Sequence, residues 1–262
     1  MQSLLTIGGG LGFIFVMTCT GAATVFVFRK TSAGKIQQIS MGFAAGIMIA
    51  ASIWSLLLPA IEEAEARGLA GWIPAACGFT LGVLFLLGLD SLIPHLHLQS
   101  GIKEGLDIKS KRSTLLFFAV TLHNIPEGMA VGLSFALAAQ HDDPAMYTAA
   151  IALAVGIGIQ NFPEGAAIAL PLRQDGVSTG KAFLISCLSG AVEPFFGILA
   201  VLLAVWIAPV MPWLLSFAAG AMLYVVVEEL IPEARLDGHS HTGTLSVMVG
   251  FLLMMVLDVA LG

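Results

Sequence analysis

The sequence predicts an all-α membrane protein of eight transmembrane helices, with helices 1–3 and 6–8 forming an inverted repeat around a central helix 4/5 pair. Three observations carry that expectation: an apolar composition cut into eight runs of spanning length, a one-sided distribution of Lys and Arg, and internal matches between runs five apart. Of 262 residues, 58% are hydrophobic and 11% charged, against about 25% charged in an average soluble domain. That excludes a water-soluble globule.

Runs of about 20 apolar residues match a bilayer core. They fall at about 4–28, 36–60, 72–93, 114–139, 145–172, 180–207, 212–234 and 244–261, with connections mostly shorter than ten residues. Residues 1–262 are therefore expected to form one transmembrane domain. No Lys or Arg precedes Arg29, so the first run lacks the basic region of a signal peptide and reads as a retained span. Connections after spans one, three, five and seven carry Arg29, Lys30, Lys35, Lys103, Lys109, Lys111, Arg112, Arg173, Lys181 and Arg235, whereas those after two, four and six carry Arg67 alone. Ten against one places the first set in the cytoplasm and both termini outside. Short loops without targeting signals suit a prokaryotic plasma (inner) membrane.

The net charge of −6 comes from carboxylates inside or beside spans. The lipid bilayer is thus a partner and nucleic acid is not, because no basic stripe exists to hold it. Cys19, Cys77 and Cys187 lie in apolar runs without CxxC spacing and read as small core residues.

Transporters are commonly built from inverted repeats, and three internal matches point the same way. Phe43-Ala44-Ala45-Gly46-Ile47-Met48 in span two matches Phe217-Ala218-Ala219-Gly220-Ala221-Met222 in span seven, and Leu58-Pro59 echoes Ile231-Pro232. In spans three and eight a Gly lies eight residues before an Asp, Gly82 with Asp90 and Gly250 with Asp258. The third match is the strongest: His123-Asn124-Ile125-Pro126-Glu127-Gly128 in span four and Gln160-Asn161-Phe162-Pro163-Glu164-Gly165 in span five.

Counted from the cytoplasmic ends, both motifs begin roughly 8–9 residues in, so at about 1.5 Å per residue they share one depth near mid-membrane. At about 100° per residue, Glu127 lies between His123 and Asn124, and Glu164 between Gln160 and Asn161. Two carboxylates can then bridge two adjacent cation positions, one near His123 and Gln160 and one near Asn124 and Asn161. Each Pro frees the carbonyl four residues earlier, and such broken helices are tolerated where they line a cavity. Glu193-Pro194 in span six and Glu228-Glu229 in span seven bring further carboxylates to a comparable level. A charge at mid-bilayer costs at least about 2.5 kcal/mol on insertion scales, and no intramembrane Lys or Arg is present to offset these. Metal ions or protons must do so. His, carboxylates and amides without thiolate suit divalent first-row metals, with Zn and Fe(II) leading and Cd, Mn and Co also fitting.

On these residues the chain resembles the ZIP (Zrt/Irt-like protein) family of divalent metal transporters, of bacterial type, along essentially its whole length. The resemblance implies eight helices arranged as an inverted pair of three around a central two, both termini outside, metal moving into the cytoplasm, and a homodimer. It implies a binuclear site with His123, Glu127, Gln160 and Glu164 around one metal, and Asn124, Glu127, Asn161, Glu164 and Glu193 around the other, with Met48 as an additional soft ligand. Family members often carry Asp where this chain has Asn161, so the second position is less acidic here. The family's connection between spans three and four is often His-rich; here His95 and His97 stand ready to take metal as it exits.

Several residues keep two readings. Glu228 and Glu229 form an exit vestibule or a solvated interface. Asp90 and Asp258 line an exit or entrance path or stabilise helix ends. Glu62, Glu63 and Glu65, together with the loop His141-Asp142-Asp143, attract cations outside or are simply solvated. An intramembrane hydrolase would need a nucleophile or an HExxH motif, and neither is present, so no enzymatic activity or further cofactor is expected. The expected function is import of divalent metal by alternating access. The alternative, a proton-coupled carrier of another solute, uses the same carboxylates but does not require matched His, Asn and Gln.

Overall fold

A computed structural model describes residues 2–27, 33–92, 95–96, 103–104, 112–174, 176–234 and 241–261; at 2–4, 33–37, 90–92, 95–96, 103–104, 112–120, 123, 174, 233 and 261 it describes backbone alone. The helices in chain order are α1 (Gln2–Ala23), α2 (Ala33–Ala51), α3 (Leu58–Ala66), α4 (Trp72–Leu92), α5 (Arg112–His141), α6 (Pro144–Gln174), α7 (Thr179–Gly190), α8 (Val192–Leu202), α9 (Ala204–Ile207), α10 (Met211–Val225), α11 (Ile231–Ala234) and α12 (Thr242–Leu261). Among the described residues, seven stretches are long and apolar enough to cross a membrane: Leu5–Phe26, Gln38–Ala66, Trp72–Leu89, Pro144–Arg173, Thr179–Leu202, Ala204–Leu230 and Thr242–Ala260. The expected fourth span coincides with α5, a helix of 30 residues. The protein is an all-α, multi-pass membrane protein; among the described residues its one β pairing is a two-residue antiparallel match of His95–Leu96 with Lys103–Glu104 that the sequence did not signal.

Lipid takes the place of water around such a bundle, so outward faces are apolar and packing depends on close backbone approach. Leu81, Leu84 and Phe85 of α4 and Leu252, Val256 and Val259 of α12 are exposed accordingly. Inside, α2 packs on α12, α4 on α10, α1 on α6 and α5 on α8, with α5 and α6 in contact at the centre. The α2/α12 crossing needs glycine on both sides: a Cβ on Gly46 would run into the Val247 carbonyl, and one on Gly250 into the Phe43 carbonyl. The α4/α10 crossing has the same form, Gly220 facing the Phe79 carbonyl and Gly82 the Phe217 carbonyl.

Two spans are not uniformly α-helical. Ser52–Leu57 joins α2 to α3, and Val226–Leu230 joins α10 to α11, each as a π-helical segment. Pro59 and Pro232 follow just behind. A proline ring removes one helical donor and crowds the preceding turn, and a widened turn relieves both. Span six is also broken, at Ala191 between α7 and α8. The α5–α6 hairpin turns on Asp142, whose φ is 50°, and the Asp143 carboxylate accepts the Ala145 amide at 2.9 Å to start α6.

Filling a glycine crossing should separate two helices. Gly250→Val is expected to destabilise the protein by about 1–3 kcal/mol, as overpacking does, whereas Gly8→Ala, which meets nothing within 4 Å, should leave the thermal unfolding midpoint in detergent nearly unchanged.

Candidate functional site

Both motifs lie mid-helix, on α5 and α6, with Pro126 and Pro163 accommodated inside them. The motif glycines explain how a third and a fourth helix reach them. A Cβ on Gly128 would strike the Glu193 backbone on α8, and one on Gly165 would strike the Thr18 carbonyl on α1. Close approach therefore delivers Glu193 and Thr18 to the α5/α6 crossing. Asn124, Glu127, Gln160, Asn161, Glu193 and Thr18 are all buried there.

The amide orientations follow from what each amide faces. Asn124 Nδ2 donates to the Ser189 carbonyl at 2.9 Å and to Ser189 Oγ at 3.3 Å. Asn161 Nδ2 donates to Glu193 Oε2 at 2.5 Å and to the Ile14 carbonyl at 3.3 Å. Gln160 Nε2 donates to Glu127 Oε1 at 2.5 Å. Carbonyls and carboxylates accept only, so each NH2 must point at them and each amide oxygen must point away. The consequence is an excess of acceptors: Asn124 Oδ1, Glu127 Oε2, Gln160 Oε1 and Asn161 Oδ1 are buried with no hydrogen-bond partner among the described residues. Buried oxygens without donors are costly, and a cation or protons would satisfy them.

The remaining expected ligands lie nearby. Glu127, Gln160, Glu164 and Met48 line one small cavity with Ser40, Met41, Ala44, Pro163 and Leu230, about 10 Å³ in volume, roughly one water-sized occupant. Glu164 is half-buried and Met48 buried. Glu164 lies within electrostatic reach of Glu127 and Glu229, and Glu193 within reach of Glu164. Glu228 and Glu229 sit half-buried on the Val226–Leu230 π-helical segment, which joins the Glu229 carboxylate electrostatically to the cluster. The His123 imidazole, the side chains of Asp90 and His95, and His97 lie outside the described residues. Among the described residues no group of three His, Cys, Asp or Glu stands ready for a metal.

Asp258 is elsewhere. It lines a second cavity of about 290 Å³ with Trp54, Ser55, Glu62, Ser134 and Met146 among others. Asp258 Oδ1 accepts Ser55 Oγ at 2.6 Å, while Oδ2 has no partner among the described residues. Fully buried Ala51, Val131, Leu153 and Ile157 lie between the two cavities along their helices. Beside the larger one, Glu63 is not simply solvated: it is buried, pairs with Arg67 and accepts or shares a proton with His141 Nε2 at 2.7 Å. Arg67 also donates to the Ala208 carbonyl at 2.6 Å.

Thr18, Ser55, Ser189 and Thr121, whose hydroxyl donates to Ser189 Oγ at 3.2 Å, escaped the sequence reading because lone hydroxyls in apolar helices carry no charge signal. Equivalent spacing could have found one of them: Thr18 and Glu193 are 175 residues apart, as are Ile14 and Ser189.

A multi-pass helical membrane protein with an acceptor-rich polar centre is the class that fold and site define. Residues 102–258, which include both motifs, Glu193, Glu228, Glu229 and Asp258, match the family described as ZIP Zinc transporter, and the chain belongs to that family. It is 37% identical to zinc transporter ZIP11 of Homo sapiens over 97% of this chain and 96% of that protein. It is 41% identical to zinc transporter GufA of Myxococcus xanthus over 94% of each. Zinc transporter ZIPB of Bordetella bronchiseptica is 40% identical, with 98% of this chain and 81% of that protein covered. The family is one of transporters, not enzymes.

Asn161→Asp exchanges a donor to Glu193 for a second negative charge. Metal-free protein should then unfold at lower temperature than wild type, while the upward shift produced by added zinc should be larger; differential scanning fluorimetry with and without zinc reads both.

Proposed function

We propose that this protein carries zinc across the plasma membrane into the cytoplasm through a mid-membrane site, by alternating access. The observation that carries the reading is the cluster of four donor-less oxygens, Asn124 Oδ1, Glu127 Oε2, Gln160 Oε1 and Asn161 Oδ1, buried where α5 crosses α6. Cations satisfy such oxygens, and a mixed set of weak ligands also lets an ion leave. The relatives' names, all zinc transporters, support zinc as the cargo. Cd, Fe, Mn and Co suit the same donors.

The site is binuclear on this reading. His123, Glu127, Gln160 and Glu164 hold one ion, with Met48 beside it, and Asn124, Glu127, Asn161, Glu164 and Glu193 hold the other. A proton-coupled carrier of another solute would need the carboxylates alone; the amide oxygens buried without donors favour metal instead.

Eight spans and an inverted repeat frame the site. In support, the α2/α12 contact corresponds to α10/α4 and the α1/α6 contact to α8/α5, with glycine crossings of the same form. The π-helical segments begin at Ser52 and Val226, 174 residues apart, like Phe43 and Phe217. The count of basic residues puts both termini and the larger cavity outside. Asp258 and Glu62 then gather cations at the entrance, the layer of Ala51, Val131, Leu153 and Ile157 closes the way to the site, and Glu228, Glu229, His95 and His97 mark the exit, with Asp90 near it. The chain acts as one transmembrane domain and, by the family resemblance, as a homodimer.

Zinc and cadmium uptake into proteoliposomes holding a trapped metal-sensitive dye tests the reading. Wild type should show saturable uptake, and Glu127→Ala or Glu164→Ala should reduce it by about 100-fold or to background, since each removes a ligand shared by both ions. A wild type that binds metal but moves none at any gradient or pH would make the cluster a structural or sensing site.

A further inference from the structure

Thr18 is 1% exposed on α1, at a place where two glycines make room for it. A Cβ on Gly165 would meet the Thr18 carbonyl, and one on Gly190 would meet Thr18 Cβ, Cγ2 and Oγ1. The residue is thus wedged between the end of the second motif and the break in span six. Its hydroxyl has two acceptors, the Ile14 carbonyl at 3.2 Å and Glu193 Oε1 at 3.4 Å. Both distances exceed that of a single O–H···O bond, as when one proton is shared between two acceptors.

The surroundings repeat. Asn161 donates to the Ile14 carbonyl and Asn124 to the Ser189 carbonyl. Thr18 lies four residues after the first carbonyl and Glu193 four after the second. Thr18 therefore holds in α1 the place that Glu193 holds in α8, and the two side chains meet.

From this juxtaposition we infer that Thr18 is a positioning residue of the cation site, its hydroxyl holding Glu193 Oε1 while Asn161 holds Oε2. The inference deepens the proposed reading of the site and rests on it. Without an ion, the Thr18 proton is shared between Glu193 Oε1 and the Ile14 carbonyl. With an ion on the carboxylate, Glu193 is held in one pose and the proton commits to Oε1, so the bond counts for more in the bound state than in the free one. A second carboxylate at this place would add charge and hold the ion too firmly to release; a hydroxyl steers without adding charge.

The test measures zinc uptake in proteoliposomes for Thr18→Val, Thr18→Ala, Thr18→Ser and Glu193→Gln, and for Thr18→Val combined with Glu193→Gln. Loss of one hydrogen bond to a charged group should raise KM about 10-fold or more, with kcat within about two-fold. Val and Ala should both show this, and Ser, which differs from Ala only by the hydroxyl, should recover most of the KM. In the double variant KM should equal that of Glu193→Gln alone, because Thr18 acts through Glu193. A residue that merely fills space gives the reverse order, with Val harmless and Ser impaired alongside Ala, and that result overturns the inference, as does a Val KM equal to wild type. Should Val fail to fold, the Ala and Ser pair decides. Failure of the transport reading itself is separate: wild type would then show no uptake to compare.

Discussion

The rest of this molecule depends on one imbalance: at the centre of an apolar bundle, hydrogen-bond acceptors outnumber donors. The NH2 groups of the two motifs are already committed, Asn124 to Ser189, Asn161 to Ile14 and Glu193, and Gln160 to Glu127. Lys or Arg would end the imbalance and no span centre carries one. In water the surplus oxygens would be solvated at little cost, but in a low-dielectric interior they strongly favour whatever positive charge can reach them. Stability and ligand binding are therefore one property here. A bound cation adds its binding free energy to folding.

Such a centre can exist only if several helices come close enough to share it. Lipid gives no hydrophobic drive for helices to associate, so contact surfaces must fit at backbone distance. The glycines of the two motifs are the local solution: Gly128 admits the Glu193 backbone and Gly165 admits that of Thr18. The prolines act on the other term. Each withholds one amide donor and so leaves the carbonyl four residues earlier free, with α5 and α6 staying α-helical through Pro126 and Pro163, and the break at Ala191 lies two residues from Glu193. The Ser189 carbonyl at that break is the acceptor that fixes Asn124. Polar groups of the helix and of its side chains thus satisfy one another, which is what permits irregular backbone at this depth.

Much of this was legible in the sequence for a physical reason. A bilayer imposes a length on each apolar run, so the seven spanning stretches found among the described residues are written in composition alone. Charged residues within spans are expensive enough to be rare, so Glu127, Glu164 and Glu193 stood out by their presence. Legibility ended where cost ended. Thr18 and Ser189 are cheap in a membrane helix, since a hydroxyl can bond its own turn, and nothing in composition distinguishes them from the serines that pack idly, such as Ser216 on its Pro212 carbonyl. The π-helical segments were equally hidden; only Pro59 and Pro232 hinted at them. Glu63 read as a solvated end because its partners, Arg67 aside, come from α5, far along the chain.

The separation of the two cavities constrains how an ion could pass. Asp258 and Glu62 share the larger cavity, Glu127 and Glu164 the smaller, and no lining residue belongs to both. Transit on the proposed reading therefore requires α2 and α3 to shift against the α5–α6 hairpin, parting the buried layer between them. The contacts that resist such a shift are not all apolar. Glu63 of α3 is bound to His141 at the hairpin, and Arg67 reaches the Ala208 carbonyl beyond α9. These polar contacts can be exchanged for water at a surface, whereas the glycine crossings of α2 with α12 and α4 with α10 cannot open without exposing backbone. Motion should then follow the replaceable contacts and spare the crossings, so that α2, α12, α4 and α10 stay paired as they are while the motif helices move relative to them.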